Sequence, residues 1–220
     1  MLRDATTALV LVLALSGCAG IGQPKPYDST GINGLVVPTP TPDPGDFVAV
    51  VDNPWLALEP GERRTYDVVD TGITVGSLVV DVLEDPVPVA GLEATAVQTT
   101  TDLGGATTST VTDLYAQDDH GNVWLVGGDA DGEGWRAGTD GAEAGLAMPA
   151  DPRLGDGWKA YVVAGLPESI VRIEDQSAQM VQIRSEAGTA TRTVYEKGAG
   201  LVSIEDLDAG WVATLEQPGS

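Results

Sequence analysis

Residues 63–117 and 169–217 consist almost wholly of short runs in which polar and apolar side chains alternate, and this alternation constrains the fold more than any other feature. "RRTYDVVD" (63–70), "ITVGSLVVDVLED" (73–85), "LEATAVQTTTDLG" (92–104) and "TTSTVTDLYAQ" (107–117) are rich in Val, Thr and Ile, and Gly, Pro or Asp part them. β-Branched side chains pack well on a pleated surface, and a period of two puts alternate residues on one face. In "VGSLVVDVLE", Leu78, Val80 and Val82 form the cleaner apolar face. In "MVQIRSE", Val181 and Ile183 share one face while Gln182 and Arg184 share the other, as in a half-solvated antiparallel sheet. "YAQDDHGNVWLVGGD" (115–129) predicts a hairpin that turns at Asp118 to Asn122. About ten short strands with tight turns predict an all-β, mainly antiparallel single domain, a strongly curved sheet or a barrel-like one. Curvature is favoured because flat exposed edges invite aggregation. The stretch "GAEAGLAMPADPRLGDGW" is dominated by Gly and Pro, which predicts a long ordered loop near 134–158.

The first 45 residues read differently. Ala5 to Leu15 is an apolar run of signal-peptide length, shorter than the roughly 18 residues that span a bilayer. Leu15-Ser16-Gly17-Cys18 follows, with small residues directly before the chain's single cysteine. This pattern resembles the bacterial lipobox, which implies signal cleavage after residue 17 and acylation of Cys18 with palmitate or similar chains. Two or more acyl chains anchor stably where one holds marginally. Residues 1–17 are therefore expected to be a lipoprotein signal peptide. Residues 18–45 form an acylated, Pro-rich flexible tether, with "VPTPTPDPGD" in extended polyproline-like geometry. Residues 46–220 form the β domain. The expected location is extracytoplasmic, anchored to the bacterial cell membrane.

Composition then removes function classes. With Cys18 acylated, the folded part has no disulfide, thiolate zinc site or cysteine nucleophile. Lys and Arg number 11 against 33 Asp and Glu, a net charge of −22. Loss of residues 1–17 removes one Arg and one Asp and leaves that charge unchanged. So acidic a surface repels nucleic acid and attracts cations. There is no phosphate-cradling loop ending in Lys, and no paired-histidine metal motif.

Four segments together resemble a family of uncharacterised bacterial secreted proteins and lipoproteins: "NPWLALEPGERRTYD" (53–67), "YAQDDHGNVWLVGGD" (115–129), "GWRAGTDGAEAGLAMPADPRLGDGW" (134–158) and "VYEKGAGLV" (194–202). The resemblance covers most of residues 50–202. It implies a mainly antiparallel β domain on the cell envelope, with no established activity and no catalytic residues to carry over.

Candidate sites are few. His120 is the sole histidine and falls in a turn, a poor base for positioned catalysis. "DADGEGWRAGTD" (129–140) places Asp129, Asp131, Glu133 and Asp140 at calcium-loop positions, although Asp stands where a bidentate Glu closes such loops. A plain acidic turn accounts for it equally well. Trp135 and Trp158 bracket the long loop and either pin it to the sheet or line a mouth for an apolar ligand. These residues favour a non-catalytic module that binds an apolar ligand or an envelope protein. The alternatives are a hydrolase using paired carboxylates and a calcium-stabilised structural protein of the envelope.

Overall fold

The computed structural model describes residues 37–39, 42–105, 108–130 and 132–216. After a single 3-10 turn at Pro44–Asp46, the described chain is a succession of strands. These begin with β1 (Phe47–Val48), β2 (Val51–Asn53), β3 (Leu56–Leu58), β4 (Arg63–Asp70), β5 (Ile73–Val82), β6 (Val87–Val89), β7 (Leu92–Asp102), β8 (Ser109–Asp118) and β9 (Val123–Ala130). They continue with β10 (Glu133–Arg136), β11 (Glu143–Met148), β12 (Gly157–Trp158), β13 (Tyr161–Val162), β14 (Ile170–Gln176), β15 (Met180–Glu186), β16 (Ala190–Glu196), β17 (Gly200–Asp206) and β18 (Val212–Leu215). Every pairing is antiparallel. The main sheet runs β12-β14-β15-β16-β17-β18-β4-β5-β7-β8-β9-β11-β13, with β1, β6 and β10 on side branches. No helix among the described residues is long and apolar enough to cross a membrane.

The hairpin β2–β3 shows how strongly this sheet bends. It is a separate two-stranded sheet. On one side Asn53 Nδ2 donates to the carbonyls of Gly121, in the β8–β9 turn, and Pro149, after β11. On the other side the Gly198 amide, in the β16–β17 turn, donates to the Pro54 carbonyl at 2.7 Å, and Lys197 Nζ lies 5.6 Å from the Trp55 ring. The strands β8 and β16 stand far apart in sheet order, yet one short hairpin reaches both. The sheet therefore curls around an interior, and β2–β3 covers one end of it. Gln117 of β8 fixes the hairpin further: its side-chain oxygen accepts from the Asp52 and Asn53 amides, and its Nε2 donates to Asp52 Oδ1. One apolar cluster accordingly joins Val51, Trp55 and Leu58 to Val97, Leu114, Val171 and Ile183. A smaller cluster surrounds Tyr66, Val68, Leu78 and Ala213.

Strand pairing does not close this sheet into a barrel, so the barrel-like expectation holds for curvature and fails for the ladder. The two edges, β12 and β13, are nevertheless joined by Lys159 and Ala160 alone. Three groups stitch the seam. Ser169, immediately before β14, is buried, and its hydroxyl accepts from the Tyr161 amide and donates to the Tyr161 carbonyl, both at 2.9 Å. The Trp158 indole N–H donates to the Leu146 carbonyl of β11 at 2.7 Å. Lys159 Nζ pairs with Glu168 at 2.6 Å. A Ser169→Ala chain is expected to lose about 1–2 kcal/mol, because the part-buried Tyr161 amide and carbonyl lose their partner. Urea unfolding checks the loss, and amide exchange at Tyr161 should accelerate more than at β4 or β5.

Two expectations change here. Residues 134–158 are not one long loop: they hold the end of β10, all of β11 and β12, and the turns between them. β10 and β11 pair with successive halves of β9, so tertiary pairing imposes strand geometry on a Gly- and Ala-rich stretch with little intrinsic preference for it. Part of the segment expected as tether also packs on the β domain. Thr39 exchanges two backbone hydrogen bonds with Ala144, each 2.8 Å, and Val37 packs on the core. Asp43 accepts from the Gly45 amide at the start of the 3-10 turn.

Candidate functional site

Inside the curl lie two cavities divided by a shared wall of Leu56, Tyr115 and Tyr195. The smaller, about 80 Å³, extends toward Tyr66, Val80 and Val97. The larger, about 150 Å³, extends toward Leu125, Leu146, Val171 and Ile183. Each is far larger than one water needs. Leu56 comes from the covering hairpin, Tyr115 from β8 and Tyr195 from β16. Three elements distant in sequence thus meet at one place, and they meet because the sheet curls.

The polar groups on this inner face are few. Tyr66 is fully buried and its hydroxyl donates to the Leu201 carbonyl at 3.0 Å; burial pushes its pKa up to about 12. Burial also raises Tyr115, Tyr161 and Tyr195, so each stays an O–H donor at neutral pH. Two residues before Tyr115, on the same face of β8, stands Asp113, whose carboxylate accepts from the Tyr115 hydroxyl at 3.3 Å. Burial pushes the Asp113 carboxyl up from 3.8 to about 6, against the smaller opposing effect of that hydrogen bond. No second acid contributes to this displacement. The acid lining the smaller cavity, Glu62, is held by Arg64 at 2.8 Å. Among the described residues, Glu62 is thus the one acid that lines these two cavities.

The residues singled out from sequence separate here. Trp135, on β10, is half-buried and packs on Tyr161 with ring centroids 5.5 Å apart. Trp158 is buried and committed to the seam through Leu146. Neither lines the two cavities, although Trp135 lies beside Asp113. A Cβ built on Gly128 would sit 2.9 Å from Trp135 Nε1 and 3.4 Å from Asp113 Oδ1. Asp113, Tyr115, Tyr195 and Leu56 were not singled out. The available signal was the alternation Val111, Asp113, Tyr115, Gln117 along β8, which reads as a solvent face until the curl turns it inward.

The described acids at the calcium-loop positions are spread over two strands and a turn. Asp129 and Glu133 sit on the paired strands β9 and β10, and Asp140 lies in the turn after β10, so the stretch is a hairpin and a turn rather than one wrapping loop. Asp131 lies outside the described residues. Asp129 Oδ1 instead accepts from the Gly132 amide at 3.2 Å. Among the described residues, three potential ligand groups come within 4.8 Å of one another at Asp118, Asp119 and His120. Asp118 is already used there. It is buried and accepts from the His120 and Asn122 amides, from Asn122 Nδ2 and from the Trp124 indole N–H. This bonding shapes the β8–β9 turn that the sequence predicted, and His120 points its Nδ1 at Asp119, 2.6 Å away. Cys18 and the signal and lipobox residues lie outside the described residues. Compared with protein-family models, with curated proteins and with solved structures, the chain shows no match.

Proposed function

We propose that this protein is a cell-envelope lipoprotein, held by acyl chains on Cys18, whose β domain carries an apolar ligand in its interior. The observation that supports ligand carriage is the pair of cavities meeting at Leu56, Tyr115 and Tyr195. Cores of ordinary proteins pack to near-crystalline density, and retained apolar space flanked by a few hydroxyls is the usual make-up of a ligand pocket. Leu56 sits on a hairpin outside the main ladder, held over the cavities by Gln117, by the Asn53 side chain and by the Gly198 amide. The anchor rests on the lipobox-like Leu15-Ser16-Gly17-Cys18 and on the resemblance to secreted and lipid-anchored envelope proteins.

Native mass spectrometry of the full chain, extracted from membranes in mild detergent, tests both parts. The expected spectrum carries acyl mass on Cys18, absent from a Cys18→Ser chain, and a further dissociable organic mass. Leu56→Trp, which fills the wall common to both cavities, should remove the dissociable mass and keep the acyl mass. A chain with no bound mass that takes up no added alkyl compound would overturn ligand carriage. An unmodified Cys18 would overturn the anchor.

A further inference from the structure

The two cavities differ in their polar lining, and the difference gives the interior a direction. The larger is walled by uncharged side chains, Leu125, Leu146, Val171 and Ile183 among them. The smaller carries the charged pair Glu62 and Arg64. Glu62, Arg64 and Tyr66 alternate along the start of β4, so all three turn to this cavity. Gly200 makes room for the guanidinium: a Cβ there would stand 2.8 Å from Arg64 Nη1. Arg64 Nη1 thereby reaches the Ala199 carbonyl across on β17's approach. Its Nε donates to Glu62 Oε1 at 2.8 Å, and Nη2 lies 2.8 Å from the same oxygen. The Arg64 side chain is 21% exposed and that of Glu62 32%, so the pair stands at the end of the cavity nearest water. The pair is also unsaturated. A guanidinium has five N–H groups and a carboxylate about four acceptor sites. At least two of those N–H groups are uncommitted, and Glu62 Oε2 accepts no hydrogen bond among the described residues.

Resting on the reading of the interior as a ligand site, we propose that the ligand is a single-chain, uncharged, hydroxyl-ended alkyl compound, its hydroxyl at Glu62–Arg64 and its chain running into the larger cavity. Volume sets the chain length. The larger cavity is about 150 Å³ and the smaller about 80 Å³. An apolar cavity of about 150 Å³ takes a six-carbon ring, so the two together hold roughly nine carbons, far fewer than a two-chain lipid carries. The chain crosses from one to the other past Leu56, Tyr115 and Tyr195, which line both. Charge sets the head. A hydroxyl donates and accepts, so it can take an Arg64 N–H while it donates to Glu62 Oε2. A carboxylate or phosphate head would sit against Glu62, and an ammonium head against Arg64, where low local dielectric strengthens the repulsion. The net charge of −22 opposes an anion further.

Isothermal titration of the full chain with hexanol, octanol, decanol and dodecanol, and with decanoate and decylammonium, in about 0.5 M salt to screen surface charge, tests this. Affinity is expected to rise about fourfold per methylene from hexanol to decanol and to stop rising at dodecanol. Decanol should bind about tenfold tighter than decanoate or decylammonium. Glu62→Gln releases Arg64 from its carboxylate, so decanoate should gain about tenfold while decanol changes little. Ile183→Phe, in the wall of the larger cavity, should move the optimum to octanol or shorter, whereas Glu62→Gln leaves the optimum in place. Equal binding of the three ten-carbon heads, or a decanoate affinity indifferent to Glu62→Gln, would overturn the hydroxyl site and leave the apolar interior standing. Affinity that keeps rising through dodecanol and ignores Ile183→Phe would overturn the placement of the chain. Binding of none of the probes overturns this proposal and ligand carriage together.

Discussion

A Gly145→Ala chain is expected to unfold with a loss of about 3 kcal/mol or more, the upper end of what overpacking costs. Gly145 is in β11, and the link between the two sheet edges crosses directly over it. A Cβ there would lie 2.7 Å from the Ala160 carbonyl carbon and oxygen, and closer still to the Lys159 oxygen. These are backbone atoms, so no rotamer change can relieve the overlap. The link has to move, and Lys159 and Ala160 are flanked by Trp158 and Tyr161, whose hydrogen bonds stitch the seam. The urea midpoint should fall, and the Tyr161 amide should exchange faster than in the parent. An unchanged midpoint would show that the seam contributes little to stability.

Asp113→Asn is expected to stabilise the protein at neutral pH, an unusual direction for a substitution in a partly buried site. The Asp113 carboxyl titrates near 6 in the fold and is raised chiefly by burial from an ordinary value of 3.8. Between about pH 4 and 6 the folded chain therefore holds a proton that the unfolded chain has lost. Stability falls as pH rises through that window and stays lower above it. A displacement of this size corresponds to about 3 kcal/mol. The neutral amide avoids that cost. The variant should match the parent near pH 4 and exceed it by about 2–3 kcal/mol at pH 7.5, several degrees in Tm for a domain of this size. The groups that face Asp113 are Tyr115 on β8, Tyr161 on β13, Tyr195 on β16 and Trp135 on β10, and none of them changes charge in this range. A variant less stable than the parent at pH 7.5 would mean that Asp113 is satisfied in the fold.

Much of the fold was legible as local pattern. The run 63–70 is β4 to the residue, 73–85 and 92–104 contain β5 and β7, and 107–117 covers β8 except its last residue, Asp118. The apolar face read as Leu78, Val80 and Val82 is turned inward: Leu78 and Val82 are buried, and Val80 lines a cavity. The turn at Asp118 to Asn122 forms as expected, because Asp118 binds the amides two and four residues ahead of it. These features depend on neighbouring residues, so sequence carries them. β10 and β11 escaped notice for the opposite reason. "EAGLAM" has few β-branched side chains, and Gly145 is there for a chain that crosses it from residues 159–160.

The candidate site divides the same way. Sequence determined an all-β chain, its turns, its acidic charge, a lipobox-like segment at Cys18 and the set of residues that share each strand face. Tertiary structure decided which face is inside. Period two puts Asp113, Tyr115 and Gln117 together on β8, but alternation has no sign: it does not say which side will meet water. That followed only once a sheet this wide curled until β8 faced β16, the β2–β3 hairpin covered one end, and Ser169 and Trp158 held the seam. Tyr115 of this row came to line the interior, and the carboxylate beside it became a part-buried charge with no ion pair among the described residues.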